Sequence, residues 1–323
     1  MNPGAERWDA QLAEQATPPP LLQGWGWGEV QSRAGWSIER VELRGGAQAS
    51  VQVRKVGPAT EAYVPRGPVP ATRAALEALV DWAKQAKVAR LIVEPEAPPS
   101  FGEVLAALGF TSTKPTQPQH TRIFALRPPA ELLATFRHGR RYNIRAGERR
   151  GVIVEEGKDA PELARQSAAV ERRESIHLPD RRYYELLLEL LPWCRTYVAY
   201  APDRSEALAT VLVVRFAGRA YSLFAGRSGA RRELMGNDLA WWAAISSAAE
   251  AGCTDFDLWG VAPPDAGPDH PWHGLGSFKA EFGGAEVSYA GAWELVLSST
   301  GAKLVGLERR ARDYVRGLKR NIP

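Results

Sequence analysis

The stretch HPWHGLGSFKAEFGG, His270 to Gly284, sets a single lysine among aromatic residues and glycines. Lys279 follows Phe278 and precedes Glu281 and Phe282. Glycines let a backbone come close to a ligand, and the two phenylalanines can exclude water around the lysine. A lysine held there can stabilise a developing oxyanion. On an open surface the same residue is an ordinary charge, and the residues alone leave both readings open. His270 and His273 stand three apart without the further Cys or carboxylate ligands of a zinc site, so no metal is expected.

A second group is basic. Arg137, Arg141, Arg145 and Arg149 recur every fourth residue in RHGRRYNIRAGERRG. On a helix this spacing forms one slowly drifting stripe, and like charges at that spacing repel. Either a solvated face with nearby glutamates or a track for the phosphates of RNA or of a nucleotide would account for it. A third group is IHLPDRRYY, in which Asp180 is a natural helix N-cap. Arg181, Arg182, Tyr183 and Tyr184 follow it. Arginines at a helix start, with its free N–H groups, can hold a diphosphate. The alternative is an amphipathic helix whose tyrosines pack inward.

The elements that must position these groups read as follows. The first twenty residues are polar and end in Pro18-Pro19-Pro20, which suggests a loose arm. Strands are expected at WSIERVEL, ASVQVRKV, ARLIVEPE and RIFAL. ATRAALEALVDWAKQAKV is an amphipathic helix. SFGEVLAALGF is another, stopped by Gly109. A new unit begins at Pro128-Pro129, and one helix is expected from there to Gly151. RTYVAYAPD, EALATVLVVRFAGRA and AYSLFAG read as an antiparallel meander. ELMGNDLAWWAAISSAAEAG is a long helix, TDFDLWGV and VSYAGAWELVLS are strands, and KLVGLERRARDYVRGLKR is a final basic helix. LVDWAKQAKVARLIVEP and ISSAAEAGCTDFDLWGV share the order helix, break, strand, which suggests two copies of one α/β unit.

The chain has 323 residues, 45% of them hydrophobic, enough for two ordinary domains. The net charge is +4, and arginine far outnumbers lysine. Arginine is the better planar partner for phosphate and carboxylate, so an anionic ligand is expected. Cys194 and Cys253 lie in apolar settings and read as free thiols in a reducing compartment. The N-terminal sequence lacks a basic-then-apolar signal pattern, and no apolar run has the length of a membrane span. The expectation is a cytoplasmic protein. GRSGARRELMGNDLAWW carries Gly226, Gly229 and Gly236 but no compact Gly-x-Gly turn before its helix, which counts against a CoA cofactor. Walker loop, dinucleotide fingerprint and nucleophile elbow are absent.

Together the pieces LLQGWGWGEVQSRAGW, YVPRGPV, QPQHTRIFAL, FRHGRRYNIRAGERRGV, GRAYSLFAGRS, CTDFDLWGV, HPWHGLGSFKAEFGG and YAGAWELVL occur in order from about residue 21 to 297. In that order the sequence resembles the Fem family of aminoacyl-tRNA-dependent peptidyltransferases. These add amino acids to the stem peptide of peptidoglycan. The resemblance implies an α/β fold of two GNAT-like domains, with mixed, largely antiparallel sheets flanked by helices. The expected boundaries are 1–126 plus 298–323 for the first domain, with the last helix returning to it, and 127–297 for the second, which carries the substrate cleft.

The family's Phe-Lys motif falls on Phe278 and Lys279. Lys279 is then implied to stabilise the tetrahedral oxyanion and the departing ribose oxygen, while Phe278 offers its carbonyl and shapes the pocket. The cluster Arg181, Arg182, Tyr183 and Tyr184 matches the phosphate-binding position. Tyr221 lies near a substrate tyrosine, and Arg66 in YVPRGPV is carried over as substrate-binding. Arg137, Arg141, Arg145 and Arg149 would meet tRNA or phosphate.

The implied partners are an aminoacyl-tRNA donor and a UDP-linked or lipid-linked muropeptide acceptor, with peripheral contact to a membrane surface. No cofactor and a monomeric state are expected. Two departures are visible. Gln31, with Arg33 beyond it, stands where members often carry a lysine, and no extended heptad run supplies a long helical arm. Two rivals share the residues: an acyl-CoA-dependent GNAT-type N-acyltransferase, marked by CoA affinity, and an RNA- or nucleotide-binding protein without activity, marked by uniform salt-sensitive binding.

Overall fold

The structure is a computed structural model and describes residues 2–174 and 178–307. The elements in chain order begin with α1 (Pro3–Gln15), α2 (Trp25–Arg33), β1 (Ser37–Glu42), β2 (Gln48–Val56), β3 (Ala59–Arg66), α3 (Arg73–Gln85), β4 (Arg90–Pro95), α4 (Phe101–Ala107) and β5 (Thr111–Thr113). Then come β6 (His120–Ala125), α5 (Pro129–Thr135), α6 (His138–Arg149), β7 (Ile153–Gly157), α7 (Ala160–Glu174), α8 (Arg181–Leu190), β8 (Cys194–Tyr200), β9 (Ala207–Phe216) and β10 (Arg219–Arg227). The rest are α9 (Gly236–Glu250), β11 (Asp255–Gly260), α10 (His273–Ala280), β12 (Ala285–Ser288) and β13 (Ala292–Val296), followed by helical residues 299–307.

These elements form two units, residues 1–119 with 289–323 and residues 120–288. The first holds a six-stranded sheet in the order β1-β2-β3-β4-β13-β5. The second holds a seven-stranded sheet in the order β12-β6-β11-β10-β9-β8-β7. Each has one parallel pair among antiparallel neighbours, β3 with β4 and β10 with β11. In both, a helix makes the crossover between the parallel strands, α3 in one and α9 in the other. The echo between the two helix–strand segments is therefore an echo of architecture.

Local chemistry explains most of the elements. Thr72 caps α3 by accepting from the Ala75 N–H at 3.2 Å, and Leu76, Leu79 and Ala83 on one face are buried. Gly109, at φ 86°, stops α4 as expected. β9 carries a continuous buried run from Ala207 to Val214 because helices cover both faces of its sheet. Ala209, Val211 and Val213 pack with Leu132 of α5, Ile144 of α6 and Ala244 of α9. On the other face Gln166 of α7 lies against Gly226 of β10. Cys194 is buried and Cys253 half-buried, both as free thiols.

Several expectations are corrected. The N-terminal arm is helix α1, with Trp8 and Leu12 buried against Val69. The Trp8 indole N–H donates to the Gln23 carbonyl at 2.9 Å. The single helix expected from 128 to 151 is broken at Phe136–Arg137. Phe136 is drawn into the core, where its ring meets Phe282 edge-on at 5.2 Å and Trp242 at 5.7 Å. VSYAGAWELVLS is two strands in two sheets, separated by Gly291 at φ 78°.

The unit boundaries accordingly fall at 119/120 and 288/289 rather than at 126/127 and 297/298. β6 pairs with β11 and β12, while β13 pairs with β4 and β5. Within the first unit Val305 packs on Val56, Ala59 and Ala89. The basic helix expected at 303–320 lies outside the described residues from 308 onward, as do Ser175, Ile176 and His177 of the third group and its approach. Among the described residues no helix is long and apolar enough to cross a membrane.

Candidate functional site

The parallel strands of the two sheets differ. β3 and β4 pair along their length, from Glu61–Arg90 to Arg66–Pro95. β10 and β11 pair only from Arg219–Asp255 to Tyr221–Asp257. Beyond that point β10 shifts register between Ser222 and Phe224, and β11 shifts between Asp257 and Gly260. The second sheet is thus parted at the carboxyl ends of its parallel strands, where open α/β sheets place ligands.

Asp257 organises the parting. Its carboxylate accepts from the Trp259 N–H at 2.7 Å and from the Thr121 hydroxyl. Trp259 takes a left-handed backbone, φ 60°, a conformation disfavoured for a bulky residue and typical of functional turns. Its ring meets Tyr221 of β10 edge-on at 6.1 Å. The next residue, Gly260, turns its carbonyl to Lys279, whose Nζ donates to it at 2.8 Å.

Lys279 lies in the last turn of α10, a helix not expected from so glycine-rich a segment. It is 5% exposed, which rules out the ordinary surface charge. Burial pushes its ammonium down to about 7, with the charge of Asp257 acting in the other direction. A cation that titrates near neutrality beside parted strands can stabilise a developing negative charge in a dry site.

Arg140 holds this turn and was no more than an off-stripe neighbour in the sequence. It is 2% exposed. Its guanidinium pairs with Asp238 and donates to the Phe278 carbonyl at 3.1 Å. A third contact reaches Glu281 at 3.1 Å. The same group stands 4.0 Å over the Phe278 ring and 4.6 Å from that of Phe282. Asn143 adds a 3.1 Å bond to Asp238. One guanidinium therefore ties α6, the first turn of α9 and the Phe278–Lys279 turn together.

A cleft of about 510 Å³ opens beside this cluster, lined by Arg227, Arg231, Arg232, Asn237 and Phe278 among others. It lies at the N-terminus of α9, whose cap residue Met235 makes no side-chain capping bond. Gly236 allows the helix to start there, since a Cβ would stand 2.6 Å from that of Leu208. Free N–H groups and arginines suit an anion. The carboxylates at its wall, Asp238 and Glu281, are both engaged by Arg140. The missing Gly-x-Gly turn therefore does not remove the anion site. Left-handed Arg231 and Met235, φ 43° and 59°, shape the loop instead.

The other expected residues are placed as follows. Tyr221 joins the site through Trp259. Tyr184 is a core residue, its hydroxyl donating to Ser167 at 3.0 Å and pushed up to about 12 by burial. Tyr183 packs edge-on against Phe224 at 6.5 Å, and Asp180 caps α8 by accepting from the Tyr183 N–H at 3.0 Å. Arg181 is exposed and paired with Glu185, and Arg182 is exposed. Tyr184→Phe is expected to cost about 1 kcal/mol of stability, the worth of one hydrogen bond, and to leave substrate KM as it was. Thermal melts and KM measured together check this.

Arg66 is buried in the first unit, donating to the Pro118 carbonyl at 2.6 Å and lying 4.2 Å over the Tyr289 ring. That placement serves the fold rather than an open phosphate site. Arg137, Arg145 and Arg149 are exposed, whereas Arg141 folds back onto the carbonyls of Ala134 and Phe136 at 3.0 and 2.7 Å. His270 accepts from the Trp272 N–H at 3.0 Å. No metal-ligand cluster occurs among the described residues. Asp257 had a legible signal, an acid amid the apolar residues of a strand. Arg140 and Asp238 had none, because their meaning lies in a pairing 98 residues apart.

Residues 131–272, inside the second unit, match the GNAT acetyltransferase domain family. No curated protein matches the sequence. The crystal structure of FemX superposes with a TM-score of 0.79 at 20% identity, covering 94% of this chain and 99% of that one. The C-terminal domain of a putative lysylphosphatidylglycerol synthetase from Agrobacterium fabrum gives 0.57 at 15% identity, covering 93% and 94%. A tandem GNAT protein from the clavulanic acid biosynthesis pathway gives 0.52 at 14% identity, covering 91% and 96%. The parted strands and α9 between them thus lie in the region that matches a GNAT-type domain, and the chain as a whole has the fold of FemX.

Proposed function

We propose that the protein is an aminoacyltransferase that moves an amino acid from aminoacyl-tRNA to the side-chain amine of a peptidoglycan stem peptide. The observation that carries this reading is Lys279, a buried cation at the parted strands of a FemX-like fold. The donor's ester is already activated, so the protein has chiefly to position the partners and stabilise charge. The acceptor amine attacks the ester carbonyl and a C–N bond forms. The Lys279 ammonium faces the oxyanion. The C–O bond to the ribose then breaks, and the amine's proton ends on the departing ribose oxygen. The arginines and free N–H groups at the start of α9 suit the donor's terminal phosphate.

A second reading, an acyl-CoA-dependent N-acyltransferase, is favoured by the GNAT family match and by the same anion-suited helix start. A transfer assay separates them. Purified protein is given charged tRNAs or acyl-CoA, with UDP-linked or lipid-linked muropeptide, and products are weighed by mass spectrometry. A gain of one amino-acid residue from charged tRNA is the expected result. A gain of the acyl group from CoA alone would replace the main reading with the second.

A further inference from the structure

The structure redraws the arginine stripe of α6. On a helix of 3.6 residues per turn, His138, Tyr142, Arg145 and Arg149 stand at i, i+4, i+7 and i+11, within about 60° of arc. All four are exposed, Tyr142 at 53%. The opposite side of the helix carries Arg140, Asn143, Ile144 and Gly147, which face Asp238, the core and Leu239. α6 therefore has two polar faces, one spent on the Phe278–Lys279 turn and one turned outward.

Among the described residues the arginines of the outward face form no ion pair. At five other surface positions an arginine is paired with a glutamate: Arg7–Glu42, Arg73–Glu77, Arg165–Glu162, Arg181–Glu185 and Arg204–Glu155. Arg145 and Arg149 have no carboxylate partner among the described residues, and as an i,i+4 like-charge pair they cost the helix a few tenths of a kcal/mol. Around them lie one aromatic ring, one imidazole and the exposed carboxylate of Glu148, which forms an ion pair with neither arginine. The helix's apolar residues Ile144 and Ala146 are buried, so Tyr142 alone is left on this face to enter a lipid surface, less than an amphipathic membrane-binding helix presents. Guanidiniums with an exposed tyrosine suit a phosphate backbone with bases at its end.

We propose that the outer face of α6 docks the double-stranded stem of the donor RNA, so that its single-stranded end reaches round the helix to Phe278 and Lys279. This rests on the aminoacyl-tRNA reading above. A helix is about 10–12 Å across with its side chains, a distance that a few nucleotides span. Arg145 and Arg149 would hold phosphates, and Tyr142 would lie against the sugar–phosphate edge or an end base.

The test is binding of deacylated tRNA and of an acceptor-stem hairpin to the full chain by fluorescence anisotropy over a salt series. In the double variant R145E/R149E, affinity is expected to fall about tenfold or more, and the log–log salt slope to become shallower by about two. The variant R145K/R149K should keep the slope, because the charges remain. Equal affinity and slope in wild type and R145E/R149E would overturn the proposal. So would unchanged RNA binding with lost binding to phosphatidylglycerol vesicles, which would assign the face to a lipid surface. Because deacylated tRNA is the probe, the result does not depend on transfer. An R145E/R149E defect in RNA binding alongside failed transfer by wild type would leave the surface standing and remove the aminoacyltransferase reading.

Discussion

Lys279→Met is expected to lower aminoacyl transfer by about 10²–10³-fold, the usual loss when a single donor to a developing oxyanion is removed. The same change is expected to raise stability. Burial holds the Lys279 ammonium near 7 in the folded chain, against an ordinary value of 10.5. Below pH 7 both folded and unfolded chains carry the proton, and the full cost of a buried charge is felt. Between about 7 and 10.5 the unfolded chain binds more protons than the folded one, so the wild type gains stability as pH rises.

The advantage of Lys279→Met should thus be largest at pH 6, on the order of a few kcal/mol, and shrink by pH 9. Melts of both proteins across that range measure it. Activity should move the opposite way, because the acting species is the ammonium. Transfer should decline above pH 7, and the residual rate of the variant should lack that limb. Because the acceptor amine also gains its free form as pH rises, the ratio of wild-type to variant rate is the readout, and a ratio that climbs through pH 7 would sink the role of Lys279 as a cation.

Arg140→Met should cost about 3–5 kcal/mol, because Asp238 is left buried without its cation. Lost activity in that variant could reflect unfolding alone. The double variant R140M/D238N separates the two effects. Removing the stranded charge should return most of the stability, since an apolar pair often replaces a buried ion pair at little cost. Transfer should stay low, because the guanidinium that holds the Phe278 carbonyl at 3.1 Å and stacks on the Phe278 ring is then gone. The limb near pH 7 should also move upward as the loosened turn lets water reach Lys279. A double variant with restored stability, full transfer and an unmoved limb would reduce Arg140 to a fold-supporting residue.

How much of this was legible in the sequence depends on the range of the forces involved. Amphipathic periods, the Thr72 and Asp180 caps, the Gly109 stop and the antiparallel meander are local features, and local pattern revealed them. The order of motifs pointed to the two-unit architecture and to Lys279. The sequence mistook α1 for an arm because Trp8 and Leu12 are too few to make a period stand out. It ran α5 into α6 because only the core could pull Phe136 out of line. It carried VSYAGAWELVLS as one strand because the choice of sheet is made by partners elsewhere in the chain.

The sequence by itself determined the fold class, the repeated strand–helix–strand plan and the identity of the one lysine worth testing. The repeated plan rests on propensity, hydrophobic period and short spacing, all written within a few residues, whereas the fold class and Lys279 came through the resemblance that the order of motifs carries. Tertiary structure decided the rest. It parted β10 from β11 but not β3 from β4, sent Tyr184 and Arg66 inward, and gave Arg140 to Phe278. It also made Lys279 a buried cation, since desolvation is a property of everything packed around a charge and of no residue alone.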